Sequence, residues 1–303
     1  MDIVISGANG AVGQNLIRLL SQSAKIVPTR IRALVRDLRR ADKLRPLAAE
    51  LIEVNYRDPA ALRVAVEGAE AVVHLAGALK PRLGESLWEA NGETALNILE
   101  ATRPSDLKCF VFLSHPGADL DSRNGFLEAK GIVERKVLDA GLPGAIFRVP
   151  MILGQGNDSL ERVIRCARAS FSPVVGGGAV RVQPVSQVDV VAAIEWALSD
   201  PPRPMRTLNL AGPETLTYAD LLYRVANRIG RRPRIFPVPK FLARLVGWSA
   251  GAVSSAGGND RAALDTFFTE YLERRVVPRG ELPFSLAPVN ETLDRIFPLS
   301  DGG

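Results

Sequence analysis

"DIVISGANGAVGQNLIRLL", residues 2–20, opens as an apolar run, turns through three glycines and closes as an amphipathic segment. Gly7, Gly10 and Gly13 stand three apart between the two, and each has a steric reason to lack a side chain. Gly7 permits a tight turn at the end of a strand, Gly10 lets the backbone approach a bound group, and Gly13 lets the next helix pack on the strand. Val12, Leu16, Leu19 and Leu20 fall on one helical face. A helix starting here presents unpaired N–H groups and the positive end of its dipole. Strand, glycine turn and helix in this order predict a pyrophosphate seat, with Gly7, Asn9, Gly10, Ala11, Val12 and Gly13 binding a dinucleotide.

The chain continues the pattern outward from that turn. "RIRALVR" (30–36), "LIEVN" (51–55), "AVVHLAG" (71–77), "KCFVFLS" (108–114) and "GAIFRV" (144–149) read as strands. Their apolar residues run nearly unbroken, as in parallel strands covered on both faces. Helical candidates at 59–67, 86–102 and 124–140 alternate with them, so the expected fold class is α/β, a doubly wound parallel sheet. Beyond residue 150 the alternation weakens. We expect a dinucleotide-binding core over 1–150 and a smaller C-terminal substrate region over 151–303, with some strands of that region rejoining the core sheet. Asp189 sits near the start of one helix, and Thr215 or Thr217 is the expected N-cap of another. In "PKFLARLVGWSAGAV", Phe241, Leu242, Leu245, Val246 and Trp248 form an apolar side that suits a lid, a docking surface, an interfacial contact or a core helix.

The composition excludes several classes. The 303 residues are 47% hydrophobic and 23% charged, the balance of a globular protein. Apolar runs stop short of the roughly 18–20 residues that span a bilayer, and "MDIVISGANG" has no basic leader region. Two cysteines, Cys109 and Cys166, fall in a strand and a helix and read as buried, so a reduced, cytoplasmic compartment is expected. With only two histidines a zinc site is not expected. The net charge of +5 comes mostly from arginines spread along the chain rather than set among aromatics, which argues against nucleic acid.

The end of the second strand selects the dinucleotide. A carboxylate there suits the ribose hydroxyl of NAD(H), and arginine suits the 2′-phosphate of NADP(H). "ALVRDLRR" places Arg36 at the strand end, followed by Asp37, Arg39 and Arg40. NADP(H) is the preferred reading; NAD(H) remains possible if the strand runs one residue further, to Asp37.

Together, the glycine spacing, "VVHLAGA", Asn91 in "ANGETALNILEAT", "FLEAKGIVERKVLDAGLPGAIFRVP", "GGGAVRVQPVSQVDVVAAI" and "LNLAGPETLTYADLL" resemble the extended and atypical short-chain dehydrogenase/reductases. The likeness covers about residues 1–240. It is strongest to members like the accessory NAD(P)-binding subunit of respiratory complex I, the NmrA-like proteins and the isoflavone-reductase-like proteins. The resemblance implies a Rossmann core in which Arg36 faces the 2′-phosphate and Asn55, with Tyr56, lies near the adenine. It also implies that Leu75, Ala76 and Gly77 line the path of the ribose and nicotinamide, that Lys130 binds the ribose hydroxyls, and that Val149, Pro150 and Met151 approach the carboxamide. His74 reads as a buried, satisfied histidine. Phe126 and Ile152 would face substrate.

The departures fall at the reacting centre. In "RNGFLEAKGIVERKV" (123–137), Phe126 stands four residues before Lys130, where classical members carry a tyrosine that handles the proton. The loop "LSHPGAD" places Ser114 early and His115 and Pro116 where a hydroxyl is expected. Lys130, His115 and Ser114 are therefore the catalytic candidates. The favoured function is NAD(P)H-dependent reduction of a small, largely apolar electrophile such as an enone or quinone-like compound. A non-catalytic NADP(H)-binding structural, assembly or regulatory protein is the alternative, followed by an NAD-dependent epimerase or dehydratase. A small-molecule substrate is expected, and a homo-oligomer or docking to a larger assembly is compatible with the sequence.

Overall fold

In chain order the strands are β1 (Asp2–Ser6), β2 (Arg30–Val35), β3 (Glu50–Glu53), β4 (Ala71–His74), β5 (Cys109–Ser114), β6 (Gly144–Arg148), β7 (Ile152–Leu153), β8 (Phe171–Val175), β9 (Arg181–Val182), β10 (Val185–Ser186), β11 (Arg206–Asn209), β12 (Leu216–Thr217) and β13 (Arg234–Val238). The helices are α1 (Ala11–Leu20), α2 (Pro59–Val66), α3 (Thr94–Ala101), α4 (Gly125–Asp139), α5 (Asp158–Arg168), α6 (Gln187–Ser199), α7 (Tyr218–Arg228) and α8 (Val289–Ile296). These come from a computed structural model that describes residues 1–47, 49–79, 81–102, 107–239 and 282–298. The apolar stretch from Phe241 to Trp248 lies outside the described residues.

The chain divides into two units, one of residues 1–148 and 190–209, the other of residues 149–189 and 210 onward. The first unit is built on a seven-stranded sheet in the order β11-β6-β5-β4-β1-β2-β3, parallel throughout. The order reverses between β1 and β4, so their carboxyl ends open a crevice of the kind where doubly wound sheets bind ligands. Register fixes what meets there: Ser6 pairs with His74, His74 with Phe112 and Ser114 with Arg148. The fold class is thus the doubly wound parallel α/β sheet.

The strands are apolar on both faces because both are covered. Val4, Val72, Phe110, Phe112 and Ile146 join one core with Leu62, Ile98 and Val133 from α2, α3 and α4. Phe110, Phe112 and Phe147 are fully buried, and each side chain contributes roughly 1.5–3 kcal/mol by leaving water. Local signals start the helices. The Asp58 carboxylate accepts from the N–H groups of Ala60 and Ala61, with Pro59 in the first turn of α2. The Asn124 side chain accepts from Phe126 and Leu127 at the head of α4.

Two expectations need correction here. The helix read over 86–102 begins as a π-helical turn, Glu89–Glu93, before α3, and Asn91 is buried within that turn. Cys166 is half-buried rather than buried, while Cys109 is buried in β5.

In the second unit, β7 pairs with β10 and β8 with β13, both parallel, and β9 pairs antiparallel with β12. Leu160 and Val163 of α5, Leu221 and Val225 of α7, and Val289 and Leu293 of α8 form its core. Thr217 rather than Thr215 caps α7, in a capping box with Asp220. Asp189, near the start of α6, accepts from the backbone of Ala287.

Candidate functional site

The glycine turn is tight enough to need its glycines. Gly7 has φ +71°, and a Cβ there would lie 2.6 Å from the Ala76 nitrogen at the end of β4. A Cβ on Gly13 would lie 2.6 Å from the Ala8 carbonyl oxygen. Gly10 is the N-cap of α1, where no side chain caps the helix and no acidic residue lies in the first turn. Its Cβ would meet only the Gly7 carbonyl, at 3.2 Å. Such a cradle fits a pyrophosphate: N–H groups at a helix start, a positive dipole end, and no side chain over them.

A buried polar chain supports the turn from beneath. The Tyr56 hydroxyl is reached by the Gly7 N–H and by the Ser6 side chain, and burial pushes its pKa up to about 12. Ser6 Oγ lies 2.8 Å from His74 Nδ1. His74 is fully buried, which drives its pKa down to about 3, with the Lys130 charge adding to the shift. The imidazole is therefore neutral. Asn9 Nδ2 donates to the Arg40 carbonyl at 2.7 Å and ties the turn to the segment after β2.

At the end of β2 the Arg36 guanidinium is held by an acidic partner. Arg36 Nη1 lies 2.9 Å from Glu85, and the guanidinium sits 5.7 Å from the centre of the Tyr56 ring. Asp37 instead accepts from the Arg39 backbone and side chain, and those bonds lower its pKa. Asn55 is exposed, and its Oδ1 accepts from the Arg57 N–H at 3.0 Å.

Lys130 reaches the carboxyl end of β4. A Cβ on Gly77 would lie 3.2 Å from Lys130 Nζ and 2.8 Å from Asn91 Oδ1. Asn91 accepts from the Ala78 N–H and donates to the Ala78 and Leu87 carbonyls, which fixes the loop beyond Gly77. Lys130 Nζ donates to the Leu113 carbonyl at 3.0 Å and stands 4.7 Å from the Phe112 ring centre and 5.9 Å from that of Phe126. Burial brings its pKa down to about 8, opposed by the charge of Glu134. Phe126 is buried, and its ring meets His115 edge-on at 5.4 Å. His115 Nδ1 lies 2.7 Å from the Pro116 carbonyl oxygen.

Ser114 is otherwise engaged. Its Oγ donates to Glu134 at 2.5 Å, and the same carboxylate receives Arg148 through Nε and Nη2. Glu134 and Arg148 were not candidates from sequence. The signal was present: Phe126, Lys130 and Glu134 are four apart on α4 and all buried, so charged residues recur on a covered helix face. Glu85, in an irregular loop, left no such signal.

Gly7, Tyr56, His74, Ala76, Gly77, Asn91 and Lys130 thus form one connected constellation, joined by Ser6 and the end of β4. Leu75 follows β4, its N–H bonded to the Ser6 carbonyl. Val149, Pro150, Met151 and Ile152 belong to the second unit, where Val149 and Met151 are buried and Ile152 opens β7.

Residues 7–145 match a family model described as NAD(P)H-binding. This chain carries an NAD(P)H-binding domain. The chain is 28% identical over 248 residues to "NADH dehydrogenase (ubiquinone) 1 alpha subcomplex subunit 9, mitochondrial" of Arabidopsis thaliana, a match covering 79% of this chain and 61% of that protein. It is 27% identical over 238 residues to "Ceramide reductase" of Caulobacter vibrioides, covering 78% and 73%. Among solved structures, triphenylmethane reductase of Citrobacter sp. superposes with a TM-score of 0.74 at 19% identity, covering 98% of this chain and 99% of that one. The resemblance to the extended and atypical short-chain dehydrogenase/reductases holds. Among the described residues no helix is long and apolar enough to cross a membrane.

Proposed function

We propose that this NAD(P)H-binding domain serves reduction of a small, largely apolar electrophile, with NADPH preferred and Lys130 as the proton donor. One observation carries the reading: a buried ammonium whose pKa falls to about 8 lies beside Gly77, just beyond β4, the strand paired with β1. The bound dinucleotide supplies a hydride to an electrophilic carbon. Negative charge then develops on a conjugated oxygen, and the Lys130 ammonium stabilises it and delivers the proton. A lysine with pKa near 8 is largely protonated at neutral pH yet gives up its proton more readily than a solvated one. The Leu113 carbonyl orients Nζ, and the rings of Phe112 and Phe126 shield it. After delivering its proton, Lys130 takes up another from solvent.

Two features set the substrate class. By the family resemblance, Phe126 takes the place of the proton-handling tyrosine, so carbonyl–alcohol exchange lacks its usual acid. Ser114 is held by Glu134 and does not offer a hydroxyl to a carbonyl. An enone or a quinone-like compound needs neither hydroxyl. The names of two relatives, a ceramide reductase and a triphenylmethane reductase, agree with reductive chemistry.

A second reading, a nucleotide-binding subunit without turnover, draws on the same two features and on the relative named as a subunit of NADH dehydrogenase. NADPH oxidation, followed at 340 nm with a panel of enones and quinones, separates the two. The reductase reading expects turnover with at least one acceptor and its loss in Lys130→Met with NADPH binding retained. Tight NADPH binding without oxidation across the panel sinks it.

A further inference from the structure

The second unit holds a basic groove that the dinucleotide reading does not use. It measures about 640 Å³ and lies where the ends of α5 and α7 meet the starts of β8 and β13. Arg168, Arg231, Arg232 and Arg234 line it, with Ser170 and Phe171 between them, and no carboxylate does. All four arginines are exposed, and none lies in an ion pair among the described residues. Phe171 is exposed by 67% and leaves its ring open to the groove.

Helix ends attract arginines for a simple reason, the negative end of the dipole, and that reason covers only part of this cluster. Arg168 falls in the last turn of α5. For α7, Gly230 at φ +65° closes the helix: its N–H bonds the Asn227 carbonyl and the Arg231 N–H bonds the Ala226 carbonyl, so the last carbonyls are satisfied by backbone. Arg228 supplies the cation for that end and is paired with Asp294. Arg231, Arg232 and Arg234 come after the cap and are surplus to it.

Two further contacts fix where they stand. The Arg234 N–H bonds the Ser170 carbonyl, and Arg234 pairs with Phe171 in the β8–β13 ladder. Three guanidiniums are therefore displayed from a tied-down turn and strand start, beside a fourth from α5 and an exposed aromatic ring. Holding four like charges around one groove is unfavourable unless an anion joins them. Guanidinium forks match phosphate oxygens two at a time, and Phe171 offers a platform for an apolar or planar group attached to the phosphate.

We propose that this groove is a second anion site, selective for a phosphate-bearing ligand with an apolar or planar portion and independent of the dinucleotide seat. The phosphate comes from a free phosphate ester or from a phospholipid headgroup. The test uses full-length protein saturated with NADPH, so that the glycine turn is filled, and the triple variant Arg231→Ala/Arg232→Ala/Arg234→Ala. Calorimetry with inorganic pyrophosphate and co-sedimentation with phosphatidylglycerol or phosphatidylcholine vesicles form the two arms. We expect pyrophosphate to bind, more weakly as salt rises, and the triple variant to lose about tenfold or more in affinity. Sedimentation with phosphatidylglycerol but not phosphatidylcholine vesicles, competed by pyrophosphate, assigns the headgroup as source; pyrophosphate binding without sedimentation assigns a free ester. Folding of the variant is checked by its melting temperature and by unchanged NADPH affinity, and Arg232→Glu alone is to reproduce the loss. Equal pyrophosphate affinity in wild type and both variants, or no binding in either arm, overturns the proposal. Because the comparison is between groove variants and wild type, it stands or falls separately from the reductase reading.

Discussion

Ser114 donates a hydrogen bond from its hydroxyl to the Glu134 carboxylate across 2.5 Å, and Arg148 pairs with the same carboxylate. In this small buried network the serine hydroxyl at the end of β5 is directed at a carboxylate. It also places a negative charge one helical turn from Lys130. Removing Glu134 strands Arg148 and the serine together. Glu134→Ala should lower unfolding free energy by about 3 kcal/mol, the range for breaking a largely buried pair from one side, whereas Ser114→Ala should cost about 1 kcal/mol and leave NADPH oxidation within about threefold of wild type. Urea denaturation and steady-state rates check both; a rate collapse in Ser114→Ala would return that serine to the chemistry.

Lys130 carries a pH signature of definite sign. Its folded pKa, about 8, lies below the ordinary value near 10.4, so between those limits the unfolded chain binds more protons than the folded one. Stability contributed through this group therefore rises as pH increases from about 8 to about 10. Lys130→Met should remove that rise and be more stable than wild type at pH 7, since a buried ammonium is replaced by an apolar chain. Melting temperatures of both proteins from pH 7 to 10 provide the check.

Glu85 holds the Arg36 guanidinium that we propose meets the 2′-phosphate of NADPH. With Glu85→Gln the Arg36 guanidinium loses its charged partner and NADPH affinity should increase several-fold, with NADH little changed. Arg36→Ala should weaken NADPH by about tenfold to a hundredfold, the equivalent of a charge-assisted hydrogen-bond pair, and again spare NADH. Equilibrium fluorescence titration with both dinucleotides measures the ratio. An equal loss for NADPH and NADH would move the selecting residue elsewhere.

Gly13→Ala tests the seat itself. The new methyl meets the Ala8 and Gly7 carbonyl oxygens at 2.6 and 2.7 Å, both of them backbone and unable to rotate away. The turn must open, at about 1–3 kcal/mol, and NADPH binding should fall with it. Gly10→Ala, which meets only one atom at 3.2 Å, should be much milder in stability while still obstructing the phosphates. Melting curves with and without NADPH separate these effects.

The fold was legible because the sheet announces itself. β1, β2, β4, β5 and β6 are short, apolar and punctuated by glycine or polar turns, and each ends within three residues of its expected bound. The glycine turn was legible because its side-chain-free positions have steric causes. Lys130 was found through its spacing from Phe126. Glu134 was missed because a glutamate in a charged helix reads as solvent-facing; only the fourfold recurrence with Phe126 and Lys130 betrays a covered face. Glu85 was invisible because a loop contact has no period. The π-helical turn around Asn91 was likewise beyond reach, since one inserted residue per turn leaves the apolar pattern almost unchanged.

The central claim is that the dinucleotide is a reactant rather than a fixture, and its release rate tests that most directly. NADPH bound to the purified protein is displaced in a stopped-flow instrument by excess unlabelled NADP+, with NADH run alongside. Enzymes of this kind turn over on the order of 10 times per second, and cofactor must leave once per cycle. The account predicts NADPH release within seconds or faster, and slower than that of NADH. Release over many minutes would contradict it and make the nucleotide a structural part of this chain.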